Sequence, residues 1–111
     1  GLLTGKYQNN AIPKGSRLDL TSKITPGLSG RIGPNTFKAI AEYLSVAEKF
    51  DLDPIHMALS FCASRSFMGS VIFGATTREQ LSKILDGLDM TLSGEVLDSL
   101  NEVYRNYPMP I

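Results

Sequence analysis

Cysteine is almost missing from this chain. Cys62 stands alone among 111 residues, which excludes an intrachain disulfide framework and a multi-cysteine zinc site and suits a reducing compartment. An excess of either charge is missing too: eleven basic residues meet eleven acidic ones with no long run of one sign, so nothing recruits nucleic acid or an anionic membrane surface. No apolar stretch approaches spanning length, and the first residues lack the basic and apolar regions of a signal peptide. A cytoplasmic location is expected, with neither membrane nor nucleic acid as partner. Histidine is confined to His56, with no partner at metal-ligand spacing, so a surface or helix-end role is expected of it and no metal site.

What is present reads as an ordered series of short elements. The chain enters at Leu2-Leu3-Thr4 without capping chemistry, as though midway through a strand, and residues 8–34 hold three prolines and four glycines with few periodic apolar positions. That pattern predicts a long surface loop. Phe37, Ile40, Ala41, Leu44 and Ala47 share a helical face over 35–50. Asp53-Pro54 starts a second helix, since the carboxylate accepts from an exposed N–H and proline at the first position lacks the donor that would be orphaned. Its apolar face is Ile55, Ala58, Leu59, Cys62 and Ala63. Ser70-Val71-Ile72-Phe73 then predicts a buried parallel strand closed by Gly74. Thr76 or Thr77 caps a third helix bearing Leu81, Ile84, Leu85 and Leu88, with Glu79 or Gln80 completing a capping box. Ser93 caps a fourth helix with Leu97, Leu100, Val103 and Tyr104 on its face, and Leu92 staples onto Leu97. An extended tail follows from 106 to 111.

Two places have chemical content. A buried strand turning through Gly74 and Ala75 into a helix start at Thr76-Thr77 exposes free N–H groups at the positive end of a helix dipole, which favours an anion. From these residues alone the plainer reading, a tight turn with ordinary caps, takes precedence over a phosphate site. Lys6, after a glycine-bracketed apolar stretch, and Arg17 in the loop beyond are the second place. Two loop cations cover phosphates or are simply solvated. Cys62 lies on an apolar face, where a free cysteine acts as a small hydrophobe. No serine, histidine and acid assemble into a nucleophilic set.

Taken together and in order, these segments resemble a known family. Gly1-Leu2-Leu3-Thr4-Gly5-Lys6-Tyr7, then Ile12-Pro13 and Gly15-Ser16-Arg17, resemble the seventh-strand region of aldo-keto reductases, most closely the Tas-type branch and the related potassium-channel β-subunits. Ile72-Phe73-Gly74-Ala75-Thr76-Thr77-Arg78-Glu79-Gln80-Leu81 is similar to the eighth strand and its following turn. The stretch from Asp53 to Phe61 resembles the penultimate barrel helix, and Asn106-Tyr107-Pro108 the Tas-like ending.

The resemblance implies the C-terminal part of a (β/α)8 barrel: residues 1–7 as strand seven and its exit, 8–34 as a cofactor-covering loop, 35–67 as two helices, 70–74 as strand eight, 76–105 as two helices and 106–111 as the tail. Taken alone such a piece is predominantly helical. In barrels of this kind a phosphate site is often built after the last two strands. By resemblance the cofactor is NADP(H), with Gly1 and Leu2 beside the pyrophosphate, Lys6 and Arg17 in the covering loop, and Gly74, Thr76 and Gln80 around the adenosine and its 2′-phosphate. Relatives often have Glu-Asn where this chain has Lys83-Ile84. Ile84 lacks the asparagine's hydrogen bond to adenine, and Lys83 adds positive charge for the 2′-phosphate. An aromatic is also common in relatives where Gly15 stands.

The implied activity is reduction of a small aldehyde or ketone by hydride transfer. The family's catalytic tyrosine, lysine, histidine and aspartate lie before the seventh strand, so the segment is expected to hold no catalytic residue and to be inactive alone. Two other readings stand beside it, a nucleotide-sensing subunit of the channel β type and a non-catalytic helical interaction module. Self-association, or association with a preceding part of the parent protein, is expected to cover the open faces.

Overall fold

The computed structural model describes residues 1–24 and 26–110; Thr25 in the expected loop and Ile111 at the end of the expected tail lie outside the described residues. The chain opens with two 3-10 turns, Leu2–Thr4 and Gln8–Asn10. Helix α1 is Arg17–Thr21, and α2, Pro26–Gly30, is one turn whose residues Gly27, Leu28 and Ser29 are left-handed. Four longer helices follow: α3 is Thr36–Lys49, α4 is Pro54–Ala63, α5 is Arg78–Leu85 and α6 is Gly94–Asn106.

Local chemistry explains where the longer helices begin. The Asp53 carboxylate accepts from the N–H groups of Ile55 and His56 at 2.8 and 3.4 Å, with Pro54 in the first turn, and the Ser93 hydroxyl accepts from Val96 N–H at 3.3 Å. The start of α3 is different. Asn35 makes no side-chain cap, and Thr36, 2% exposed, instead accepts from Gly33 N–H and donates to the carbonyl of Pro110 at 2.8 Å. The tail is thereby held against the first turn of α3.

The core lies among α3, α4 and α6. Val46, Ala47, Met57, Leu92, Val96, Leu100 and Val103 are buried together, with Phe50, Phe61 and Leu97 packed around them. Leu92 and Leu97 thus meet the same cluster, as a staple requires. Burial of aliphatic side chains such as these contributes about 1.5–3 kcal/mol each. Two faces are rotated from the sequence expectation. In α3 the buried set is Thr36, Ala39, Ile40, Val46 and Ala47, leaving Ala41 exposed; in α4 it is Met57 and Ser60, leaving Ala63 exposed. The α4 side carrying Leu59 and Ala63 instead lines an apolar groove with Val71, Phe73, Leu88 and Met90.

The expected strands are the clear difference. Residues 1–7 contain a 3-10 turn and residues 70–74 have no regular secondary structure, and no strand forms among the described residues. Ile72 is 94% exposed and Phe73 is 42% exposed, so the expected buried strand is not buried. The cause is general: a parallel strand bonds to neighbours on both sides, and two short segments do not supply them. The same deficit leaves α5 with Ile84 buried but Leu81, Leu85 and Leu88 between 41% and 61% exposed. The predominantly helical character expected of the segment on its own is what the structure has. Its radius of gyration, 14.4 Å, exceeds the roughly 13 Å of a closely packed domain of this length.

Candidate functional site

The first group of candidate residues is organised by Tyr7. This side chain is 2% exposed, its ring lies beside Gly1, and its hydroxyl accepts from the N–H of Leu18 at 3.3 Å. Gly5 makes the approach feasible. Its φ of +76° is left-handed, and a Cβ there would stand 2.9 Å from Leu44 Cδ1, so the chain reaches Lys6 only through a glycine. Lys6 Nζ then sits 5.2 Å from the centre of the Tyr7 ring.

Arg17 is the first residue of α1 and is exposed. It is aimed by a reciprocal cap, in which the Ser16 hydroxyl accepts from Asp19 N–H at 3.3 Å while Asp19 Oδ2 accepts from Gly15 N–H at 2.7 Å. Gly1 lies against the Tyr7 ring and the Lys6 side chain, with Leu2 opening the adjacent turn. Among the described residues neither side-chain cation forms an ion pair.

The second group surrounds the start of α5. Thr77 is the N-cap, its hydroxyl accepting from Gln80 N–H at 3.2 Å. Gln80 folds back, and its Oε1 accepts from the N–H of Thr76 at 2.9 Å and from the Thr76 hydroxyl at 3.1 Å. The turn is thus closed on both sides, a local form of the capping box. Gly74 just before it faces open space. Glu79 in the first turn has its pKa lowered by its own backbone N–H and then by the Thr77 hydroxyl, so this turn stabilises negative charge even at the surface.

Lys83 faces the start of α4. Its ammonium is 2.8 Å from Asp53 Oδ2, and its carbonyl accepts from His56 Nε2. Ile84 is 7% exposed and packs inward. The interhelix cluster of Asp53, His56 and Lys83 had no signal in the sequence beyond the cap at Asp53, because its members stand 27 and 30 positions apart. Tyr7 was legible only as part of the covering loop, not as the residue that organises it. No hydrogen bond or ion pair joins the Gly1, Lys6 and Arg17 group to the Gly74, Thr76 and Gln80 group among the described residues.

Other chemistry finds little support among the described residues. No group of three or more His, Cys, Asp or Glu side chains is arranged to hold a metal ion, and no helix is long and apolar enough to cross a membrane. Cys62 is partly buried on α4. The Tyr7 hydroxyl already accepts a backbone N–H from inside the fold and has no access to a substrate.

The model of the aldo/keto reductase family matches residues 1–105. Protein tas of Escherichia coli (strain K12) is 40% identical over 110 residues, covering 99% of this chain and 31% of that protein. A putative voltage-gated potassium channel subunit beta of Schizosaccharomyces pombe is 29% identical, and a probable one of Arabidopsis thaliana is 30% identical; this chain covers 33% of each. The chain spans about a third of the length of the relatives it matches. With a match that runs through both candidate groups and all four longer helices, the chain belongs to the aldo/keto reductase family.

Proposed function

We propose that the chain is the nucleotide-holding part of an NADP(H)-dependent oxidoreductase that reduces small aldehydes or ketones. The observation that carries this reading is the α5 start, where the open Gly74 leads through small residues into a capped helix N-terminus whose dipole favours a phosphate. The donors fit the group. Gly74, Thr76 and Gln80 hold the adenosine end and its 2′-phosphate, Lys6 and Arg17 close over the dinucleotide, and Gly1 and Leu2 border the pyrophosphate. When bound, the dinucleotide supplies the hydride.

This chain's own residues bind and orient. Gln80, now accepting from Thr76, exchanges that contact for the ligand, while the Thr77 cap on Gln80 N–H keeps the helix start formed. Arg17 and Lys6, free of ion pairs among the described residues, supply charge without first breaking an ion pair. No residue here is assigned to proton transfer: Tyr7 is enclosed and His56 is engaged with Lys83. The catalytic step belongs to the remainder of the polypeptide, and the 111-residue chain alone is expected to show no aldehyde-dependent oxidation of NADPH.

Charge-assisted hydrogen bonds of this sort contribute on the order of 1.5–3 kcal/mol each, enough to set a preference for NADPH over NADH. Calorimetric titration of both nucleotides into the full-length polypeptide is expected to show that preference, and Arg17→Ala and Gln80→Ala are expected to shrink it. Equal affinity for the two nucleotides in the unsubstituted protein would overturn the assignment. A nucleotide-sensing role, as the channel subunit relatives suggest, shares the same binding result and differs by lacking turnover in the full-length protein.

A further inference from the structure

Three contacts converge where the first turn of α4 meets the last turn of α5. Lys83 Nζ pairs with Asp53 Oδ2 at 2.8 Å, and His56 Nε2 donates to the main-chain oxygen of the same lysine. Gly87, just beyond α5, lies so close to the His56 ring that a Cβ would collide with it. Lys83 is gripped at its ammonium and its carbonyl by residues three positions apart on α4. Two independent contacts to one residue fix an orientation, where a single flexible ion pair would fix only a distance.

We propose that Lys83, held by Asp53 and His56, is a tether that positions the turn bearing Thr76 and Gln80 for the nucleotide, and is not itself a ligand of the 2′-phosphate. The proposal rests on the nucleotide-holding reading given above. The Asp53 carboxylate decides between the two roles. Its side chain is 23% exposed, its Oδ1 takes the N–H groups of Ile55 and His56, and Lys83 supplies the partner of Oδ2. Moving the ammonium to a phosphate would leave that oxygen without its cation in a partly desolvated place. Gln80 stands one helical turn before Lys83, so holding the lysine backbone holds the turn that Gln80 closes over Thr76. In that role the Asp53 carboxylate is as necessary as the Lys83 ammonium, whereas a phosphate ligand would need the ammonium alone.

The test compares the full-length protein with Lys83→Met and Asp53→Ser, the latter keeping a hydroxyl cap on α4 while removing the ion pair. Calorimetry with NADPH and with NADH, and amide hydrogen exchange, are measured on each. Both variants are expected to weaken NADPH binding to the same extent, by about fivefold, the scale of one exposed ion pair. Exchange along residues 78–85 is expected to accelerate by a similar factor, with α6 unchanged. A loss of NADPH affinity in Lys83→Met that Asp53→Ser, which keeps the ammonium, does not share would make the lysine a phosphate ligand and overturn the proposal, as would unaltered exchange in α5. If neither nucleotide binds the unsubstituted protein, the nucleotide reading fails by itself, and the exchange rates still decide the tether: faster supports it, unchanged overturns it.

Discussion

Asp53 joins two interactions that are usually separate, a helix cap and an ion pair between helices. Burial raises its pKa, but the hydrogen bond from Lys83, the N–H groups of Ile55 and His56 and the charge of Lys83 together lower it further, so the net displacement is downward. A carboxyl whose folded pKa lies below its unfolded value stabilises the fold above the unfolded value and loses that contribution as pH falls through the folded one. The window is therefore acidic, at and below the ordinary carboxylate range. Thermal melts of wild type and Asp53→Ser across that window are expected to differ most near neutral pH and to converge on acidification. A gap between the two proteins that stays constant with pH would show that the carboxylate charge contributes nothing.

At the scale of elements, α5 leans heavily on its cap. Its interior supplies one buried apolar side chain, Ile84, so the first turn is held chiefly by Thr77 and Gln80. Thr77→Ala is expected to weaken that turn by about 1 kcal/mol. Amide exchange at Gln80, the donor to the Thr77 hydroxyl, is the direct readout, and an unchanged rate there would contradict the assignment. The caps at Asp53, Thr77 and Ser93 were legible in the sequence because capping joins residues two or three positions apart. The strands expected at 1–7 and 70–74 were not, because a strand is a relation between neighbouring segments and its partners are not among these residues. The rotated faces of α3 and α4 have the same origin. Apolar spacing marks which residues avoid water, and packing decides which of them meet one another. Likewise Arg17, Lys6, Thr76 and Gln80 join into one proposed site only through family resemblance, since charge and small residues occur in many loops. The commitment of Lys83 to Asp53, across 30 positions, had no local trace.

Across the whole molecule the two sides differ in character. The α3, α4 and α6 side is a packed core, whereas Phe67, Ile72, Phe73, Leu81, Leu85 and Leu88 leave the other side apolar and open. Surfaces of that kind mark an interaction face. The packed side has its own closing device in the contact between Thr36 and the carbonyl of Pro110. The enclosed Thr36 hydroxyl has the Pro110 carbonyl at 2.8 Å and the Arg31 carbonyl at 3.4 Å, so deleting residues 108–111 would remove the shorter partner, at a cost of about 0.5–1.5 kcal/mol. Chemical denaturation of the truncated protein is expected to show a lower midpoint, and an unchanged midpoint would mean that the tail contributes no stability. This one hydrogen bond closes a loop of 74 residues that contains α3, α4, α5 and α6. Strain on Pro110 is therefore passed directly to the opening turn of α3, so the last described residue and the first turn of the longest helix are mechanically coupled across the whole packed core.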